Sequence, residues 1–284
     1  MAPRVLVTGA TGAVGRHLTR RLLEEGAEVR ALCRDPARPL PDGAERVIGD
    51  LTDATSLHPA LKGVDRAFVL LTDDAGAAFA QAVNDVGADS LDRLVLLSAN
   101  APDGPEHDNP LFRKHVLGEA RMAASGVPTT VLHPGPFASL ALGWAPAIRV
   151  SGVVRVVHPD LAVPVIDPRD IGDVAAVALL GSDRAPAGGT LPLSGPQRLD
   201  VRARVRTLGR VLGRTLRVER VGEDEWVRSV SGRLPEWYAR ALMGVERHLA
   251  EVEPAVVPTV RRVTGREART FGEWAEDNAA AFRA

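Results

Sequence analysis

Short apolar runs alternate with segments of helical periodicity through the first half of the chain. The apolar runs predict buried strands at 5–7, 28–33, 46–48, 67–71, 94–97 and 129–132. Between them, apolar residues recur every three to four positions, which predicts helices at 14–23, 53–61, 75–86 and 110–124. Strands that are apolar throughout are typical of a parallel sheet covered by helices on both faces. The pattern therefore predicts an α/β fold with a doubly wound parallel sheet.

The pattern changes after about residue 135, where Pro134-Gly135-Pro136 interrupts it. A helix is predicted over 168–180, and 190–194 could return one strand to the sheet. Most of the aromatic residues follow, which suggests a lobe that closes over a pocket. We therefore predict a Rossmann core over 1–137, with 165–195 returning to it, and a smaller C-terminal substrate lobe made of 138–164 and 196–284.

Composition and charge narrow the classes of function. The 35 Lys and Arg nearly cancel the 36 Asp and Glu, which disfavours binding to nucleic acid or to an anionic membrane. The single cysteine, Cys33, cannot form an internal disulfide and fits a cytoplasmic protein. No apolar stretch approaches the roughly 18 to 20 residues of a membrane span, and the histidines lack metal-binding spacing, so no metal is expected. Whether the chain is a monomer or a homodimer stays open.

The first strand-to-helix turn, Thr8 to Gly15, has glycines at positions 9, 12 and 15. Such a turn lets the backbone approach a pyrophosphate closely, and the helix N-terminus offers free N–H groups to the phosphates. The turn follows a strand and opens a helix, which is the context expected for dinucleotide binding. The alternative is a glycine turn without a ligand.

The end of the second strand bears on which dinucleotide binds. Arg34 follows the strand about 20 residues beyond the glycine turn, and no acid precedes it. An arginine at this place accommodates the 2′-phosphate of NADP, whereas an acid would bind the free ribose of NAD. NADP is therefore the predicted cofactor, unless Arg34 is simply a solvated side chain.

Several motifs together resemble the NmrA-like, atypical short-chain dehydrogenase/reductase superfamily. They are the glycine turn, Arg34-Asp35-Pro36, Gly49-Asp50-Leu51 and the segment from His115-x-x-x-Glu119 to His133-Pro134. The C-terminal segment 263–274 resembles bacterial members grouped with ergot-alkaloid-type iminium reductases. The resemblance spans nearly the whole chain and implies a Rossmann fold that binds NADP(H).

The resemblance also implies which residues contact the cofactor and the substrate. The pyrophosphate would lie against Gly9, Thr11, Gly12, Ala13, Val14 and Gly15. Arg34 would meet the 2′-phosphate, and the rest of the cofactor would follow Asp50, Leu51, Leu71, Thr72, Ser98, Ala99, His115, Pro134 and Phe137. Phe137 and Trp144 would line the substrate pocket. Ser98 could instead be a turn or helix-cap residue.

The chain departs from the superfamily at its catalytic motif. Typical members carry Tyr-x-x-x-Lys, in which the tyrosine protonates a developing alkoxide. Leu111 and His115 stand at these positions here. Lys114 is one residue away, which turns it about 100° from the required face of a helix. The single tyrosine, Tyr238, lies in the C-terminal lobe.

His115 and Glu119 are four residues apart and would share one face of a helix. The carboxylate could then orient or charge the imidazole. His115 is the candidate catalytic residue, either as a weak acid or as a contact to the nicotinamide ribose. The alternative is a surface pair without a catalytic role.

Eight arginines lie between Arg198 and Arg220. Apolar residues recur at helical spacing among them, so a solvated helix face is the favoured interpretation. An anionic substrate remains an alternative.

Two functions are compatible with these residues. The first is an NADPH-dependent oxidoreductase that reduces a small, apolar, pre-activated electrophile such as an iminium ion, a quinone or an enone. The second is a non-catalytic NADP(H)-binding redox sensor or regulator of the NmrA type.

Overall fold

The computed structural model describes residues 2–71, 74, 76–87, 91–100, 109–185 and 187–283. Its strands are β1 (Arg4–Val7), β2 (Glu28–Cys33), β3 (Glu45–Ile48), β4 (Arg66–Leu70), β5 (Arg93–Leu97), β6 (Thr129–Pro134), β7 (Val153–Val156), β8 (Thr190–Leu193) and β9 (Arg217–Arg220). Its α-helices are α1 (Ala13–Glu24), α2 (Ala54–Leu61), α3 (Ala77–Val86), α4 (Pro110–Ala124), α5 (Ala145–Val150), α6 (Pro168–Leu180), α7 (Val201–Leu212), α8 (Glu223–Val230), α9 (Glu236–Val252), α10 (Thr259–Thr264) and α11 (Phe271–Asp277).

The central sheet has the order β3-β2-β1-β4-β5-β6-β8, and each neighbouring pair of strands is parallel. Helices α1 and α6 cover one face, where Leu18 and Val174 are buried. Helices α2, α3 and α4 cover the other face, where Phe79 and Met122 are buried. The strand order reverses between β1 and β4, as in a doubly wound nucleotide-binding sheet. The predicted fold is therefore confirmed.

Some element boundaries differ from those that the sequence predicts. β4 ends at Leu70, so Leu71 lies just beyond the strand. β6 continues to Pro134 because β8 pairs along its end, with His133 opposite Pro192 and Pro134 opposite Leu193. The returning strand lies where the sequence predicts it, and its pairing brings His133 to the carboxyl edge of the sheet.

The C-terminal part of the chain forms a separate apolar core around Phe271, Trp274 and Phe282. It also contains a second sheet of β7 and β9, which the sequence did not predict. Helix α10 departs from this arrangement, because Val260 and Val263 pack with the helices of the central sheet. The division of the chain into two domains stays a prediction. No helix in the described ranges is both long enough and apolar enough to cross a membrane.

An ionic network ties the loop before α11 to α1 and α6. Asp173 on α6 bonds with His17 Nε2 at 2.8 Å and accepts a bond from Arg269 Nη1 at 2.9 Å. Arg269 also donates to Asp170, one turn earlier on α6. Burial raises the pKa of Asp173, but the hydrogen bonds from His17 and Arg269 outweigh it and lower that pKa to about 2. The ionised carboxylate thus links the end of the chain to the helix that follows the glycine turn.

Candidate functional site

A cavity of about 420 Å³ lies at the carboxyl ends of β1 to β4. The glycine turn, the ends of β2 and β4, the turn after β3 and helix α4 form its walls. The lining residues are Gly9, Thr11, Leu32, Cys33, Arg34, Gly49, Asp50, Leu51, Thr52, Leu70, Leu71 and Lys114. Ligands of doubly wound sheets bind in this position, outside the carboxyl ends of the strands at the point where the strand order reverses.

The glycine turn has the geometry that a diphosphate requires. Gly9 has a φ of +62°, and a Cβ at this position would collide with the side chain of Leu70. A Cβ at Gly15 would collide with the backbone of Gly9, so Gly15 allows α1 to pack against the turn. Gly12 is the N-cap of α1 and has no side chain to satisfy the first N–H groups of the helix. These groups fit an anionic ligand.

The other predicted pyrophosphate residues take different positions at this turn. Thr11 lines the cavity, and α1 begins at Ala13. The side chain of Val14 packs in the core under α1, so this residue can offer the ligand only its backbone.

Arg34 and Asp50 stand on the wall of the cavity formed by β2 and β3. Asp50 accepts hydrogen bonds from Thr52 N at 2.9 Å and Thr52 Oγ1 at 2.8 Å. These bonds lower the pKa of Asp50, and the charge of Arg34 adds to the effect. Arg34 itself forms no hydrogen bond or ion pair with any residue that the structure describes. Its guanidinium is therefore available to an anion such as the 2′-phosphate of NADP(H).

The remaining predicted cofactor residues lie along the carboxyl edge of the sheet. Leu51 and Leu71 line the cavity, whereas Thr72 lies outside the described residues. Ser98 and Ala99 directly follow β5, and Pro134 ends β6. Their contact with a nicotinamide ring stays a prediction, as do all the predicted cofactor contacts.

Ser98, Glu119 and His133 form one hydrogen-bonded group beside this edge. The Ser98 hydroxyl donates to Glu119 Oε1, and His133 Nε2 lies 2.8 Å from the same oxygen. Burial raises the pKa of Glu119, but the hydrogen bonds from His133 and Ser98 outweigh it, so this pKa is lowered. Because an ionised carboxylate can only accept hydrogen bonds, His133 carries its proton on Nε2.

Glu119 does not orient or charge His115, as the sequence suggested it could, although its negative charge acts to raise the pKa of His115. Glu119 instead bonds to Ser98 and His133, and His115 Nδ1 is buried without a hydrogen-bond partner among the described residues. Burial lowers the pKa of His115 to about 4, and the charge of Lys114 contributes to the shift. His115 is therefore neutral at pH 7, and Glu119 does not charge it.

The two aromatic residues predicted to line the substrate pocket lie in different cores. Phe137 packs against the core of the sheet, whereas Trp144 ends a 3₁₀ helix (Ala138–Trp144) and packs against the core of the C-terminal part. The guanidinium of Arg204 lies 5.4 Å from the centre of the Trp144 ring. Arg204 is also buried, so the interpretation of the arginine-rich segment as a solvated face fails at this residue. Whether either aromatic residue contacts a substrate stays a prediction.

Sequence reasoning missed two residues of the site. His133 is part of the quoted motif, and the adjacency of β5 and β6 could have placed it next to Ser98. Lys114 was expected to point away from the catalytic face of α4, yet it lines the cavity. In the described parts of the chain, no cluster of three or more His, Cys, Asp or Glu residues could hold a metal ion.

Comparison with known proteins matches this architecture to one family. The NmrA-like family matches residues 1–275. The chain is 38% identical to a (4-alkanoyl-5-oxo-2,5-dihydrofuran-3-yl)methyl phosphate reductase of Streptomyces griseus, over 98% of this chain and 99% of that protein. It is 32% identical to an NAD(P)H azoreductase of Xenophilus azovorans, over 99% of each.

A solved structure gives a similar result for the fold. The NADPH complex of an NADPH-dependent quinone oxidoreductase from Escherichia coli superposes with a TM-score of 0.80. It covers 96% of this chain and 99% of the oxidoreductase, at 21% identity. The family and the fold that the sequence predicted are confirmed.

Proposed function

This chain belongs to the NmrA-like family, and we propose that it is an NADPH-dependent reductase of small molecules that carry an electron-poor double bond. The substrate class is a pre-activated electrophile, best represented by an enone and extending to quinones and iminium ions. The chain binds NADP(H) in the cavity at the glycine turn, with Arg34 at the 2′-phosphate.

The observation that carries the substrate class is that Leu111, Ser98 and His115 offer no poised acid to a substrate. Leu111 stands where a tyrosine would be, and the Ser98 hydroxyl donates its hydrogen bond to Glu119. His115 is neutral at pH 7, because its pKa is about 4. A simple ketone requires a proton donor or an oxyanion stabiliser as its alkoxide forms. An enone or quinone gives a delocalised anion that solvent protonates later, and an iminium ion gives a neutral amine.

The residues of the chain have separate tasks in this proposal. Bound NADPH supplies a hydride to the electrophile. The glycine turn and the N-terminus of α1 bind the diphosphate, and Arg34 selects the phosphorylated ribose. Leu111, Phe137 and Trp144 present apolar surface to the substrate, which favours an apolar molecule and excludes water. His115 contacts the nicotinamide ribose or the substrate without supplying an essential proton.

The names of the relatives support this class of substrate. The substrate named for the Streptomyces griseus reductase contains a ring double bond conjugated to two carbonyl groups. The other two proteins are named for reducing azo compounds and quinones. All three names describe substrates with an electron-poor multiple bond or ring, which agrees with a site that has Leu111 in place of the tyrosine.

The test compares 2-cyclohexenone with cyclohexanone, a matched pair that differs in one double bond. Purified protein and NADPH are mixed with each compound without oxygen, and with a quinone and an iminium ion in parallel. We expect NADPH oxidation with the enone and formation of cyclohexanone as the product, with little turnover of cyclohexanone itself. Efficient reduction of cyclohexanone to the alcohol would contradict the proposal. Tight NADPH binding without oxidation by any of these compounds would favour a redox sensor instead.

A further inference from the structure

Lys114 on α4 lines the cavity at the carboxyl ends of the strands. Gly118, one turn later on the same face of α4, packs so closely on Leu71 that a Cβ there would collide with the leucine side chain. Leu71 follows β4 and lines the cavity, as Lys114 does. This face of α4 therefore lies over the carboxyl end of β4.

The amine of Lys114 is available to a ligand. Lys114 has no hydrogen bond or ion pair with the residues in the described ranges. Asp50 is the acid among the lining residues, and Thr52 already supplies two hydrogen bonds to its carboxylate. The cavity thus holds two cationic side chains, Arg34 and Lys114, without a carboxylate paired to either in the described part of the chain. An anionic ligand with more than one phosphate would satisfy both.

The order of the strands separates the positions of these two cations. β1 lies between β2 and β4 in the sheet, so the glycine turn after β1 lies between Arg34 and Lys114. Because α1 and α4 pack on opposite faces of the sheet, a pyrophosphate bound at the glycine turn would lie between the N-terminus of α1 and α4. A 2′-phosphate bound by Arg34 at the end of β2 would lie farther from α4.

We propose that Lys114 binds the pyrophosphate of the dinucleotide and holds it against the N-terminus of α1. The proposal rests on the NADP(H) site of the proposed function and assigns a second cationic contact to it. Arg34 discriminates between NADPH and NADH, whereas Lys114 binds a group that both dinucleotides contain. Lys114 stands one residue before the position of the superfamily's motif lysine, which His115 occupies here. In this proposal Lys114 therefore has a different task from that lysine.

The chain offers a matched control for this assignment, because Lys62 is the other of its two lysines. Lys62 is exposed at the end of α2 and does not line the cavity. We expect Lys114→Gln to weaken the binding of NADPH and NADH by the same factor, about tenfold, as loss of a charge-assisted phosphate contact does. Adenosine 2′-monophosphate lacks the pyrophosphate, so its affinity should not change. Lys62→Gln should bind all three ligands like the wild type, as measured by calorimetry.

A second measurement uses the wild-type amino-acid sequence. Reductive methylation with ¹³C-formaldehyde labels the two lysines together with the α-amino group and retains their positive charge. The NMR signal of Lys114, assigned by its absence from the Lys114→Gln spectrum or by peptide mapping, should move when NADPH or NADH is added. The signal of Lys62 should not move.

The outcomes separate this proposal from the proposed function. If Lys114→Gln binds NADPH as tightly as the wild type does, the role of Lys114 is overturned. The proposed NADP(H) site is not affected by that result. A loss confined to NADPH would place the amine at the 2′-phosphate and also overturn the proposal. Failure of the wild type to bind either dinucleotide would instead contradict the proposed function.

Discussion

Glu119 on α4 bonds to His133 at the end of β6, with 2.8 Å between Oε1 and Nε2. The same oxygen accepts a hydrogen bond from the hydroxyl of Ser98, which follows β5. One carboxylate therefore fastens α4 to the ends of two adjacent strands beside the proposed nicotinamide site. This arrangement leaves His115, one turn earlier on α4, without the carboxylate partner that its spacing suggests.

Replacement of Glu119 by Gln should destabilise the protein. The charged acceptor of two hydrogen bonds is lost, and each such bond to a charged group is worth about 1.5 to 3 kcal/mol. We expect the free energy of unfolding at pH 7 to fall by about 2 kcal/mol, measured by urea denaturation. Ser98→Ala removes one of the two bonds and should cost less. Equal stability of Glu119→Gln and the wild type would show that the group contributes nothing to the fold.

His115→Ala should lower kcat/KM for an enone only modestly. Loss of an essential general acid costs roughly 10²-fold or more, and we expect a smaller decrease here. The pKa of His115 is lowered to about 4, so the imidazole is neutral above about pH 5 and its ionisation should not shape the rate at neutral pH. The prediction fails if the wild type reduces a plain ketone efficiently and His115→Ala abolishes this activity. That result would mean that His115 has replaced the tyrosine as the acid.

Arg34→Ala should change the preference between the two dinucleotides. Loss of a charge-assisted contact should weaken NADPH binding by about 1.5 to 3 kcal/mol and leave NADH binding nearly unchanged. Calorimetry on wild type and variant provides the comparison, and Arg38→Ala, an exposed arginine of the same turn, is the control. The assignment fails if the wild type binds NADH and NADPH with equal affinity.

Gly12→Val should abolish binding of both dinucleotides while the protein stays folded. A Cβ at Gly12 would lie 3.3 Å from Gly9 O, which small adjustments can accommodate, but the branched side chain would occupy the approach to the pyrophosphate. Gly15→Ala should instead damage the fold, because its Cβ would collide with the backbone of Gly9. Circular dichroism and thermal shift assays separate the two effects. A Gly12→Val protein that NADPH still stabilises would refute this position of the phosphates.

Asp173 should make stability depend on pH in the acid range. Its pKa is lowered from 3.8 to about 2 in the folded protein, so its contribution is complete above about pH 4 and is lost as the pH falls toward 2. This shift corresponds to about 2 kcal/mol. The difference in unfolding free energy between wild type and Asp173→Asn should therefore be largest near pH 6 and shrink below pH 4. A difference that does not change between pH 6 and pH 3 would contradict the role assigned to this carboxylate.

The sequence was sufficient to predict those features that depend on residues close together along the chain. Helices α4 and α6 have the bounds that their periodicity and their prolines at the first helical position predict, and β2 has the predicted bounds as well. Gly9 is required by a local backbone geometry, a φ of +62°, that other residues tolerate poorly. The cation that follows β2 is equally local, because the end of a strand places the next side chain at the edge of the sheet. These features indicated the fold class, the family and the dinucleotide cavity.

The tertiary structure decided which side chains meet across elements. Glu119 could reach His115 along its own helix, but the adjacency of β5 and β6 gave it Ser98 and His133 as partners. Lys114 lines the cavity because the packing of Gly118 on Leu71 sets the rotation of α4 above the sheet. Spacing along a helix fixes the angle between two side chains but not the direction in which the helix faces, since that direction depends on contacts with residues far away in the sequence. The sequence by itself therefore determined the fold and the glycine turn that suits a dinucleotide, whereas packing decided which charged and polar groups surround the site.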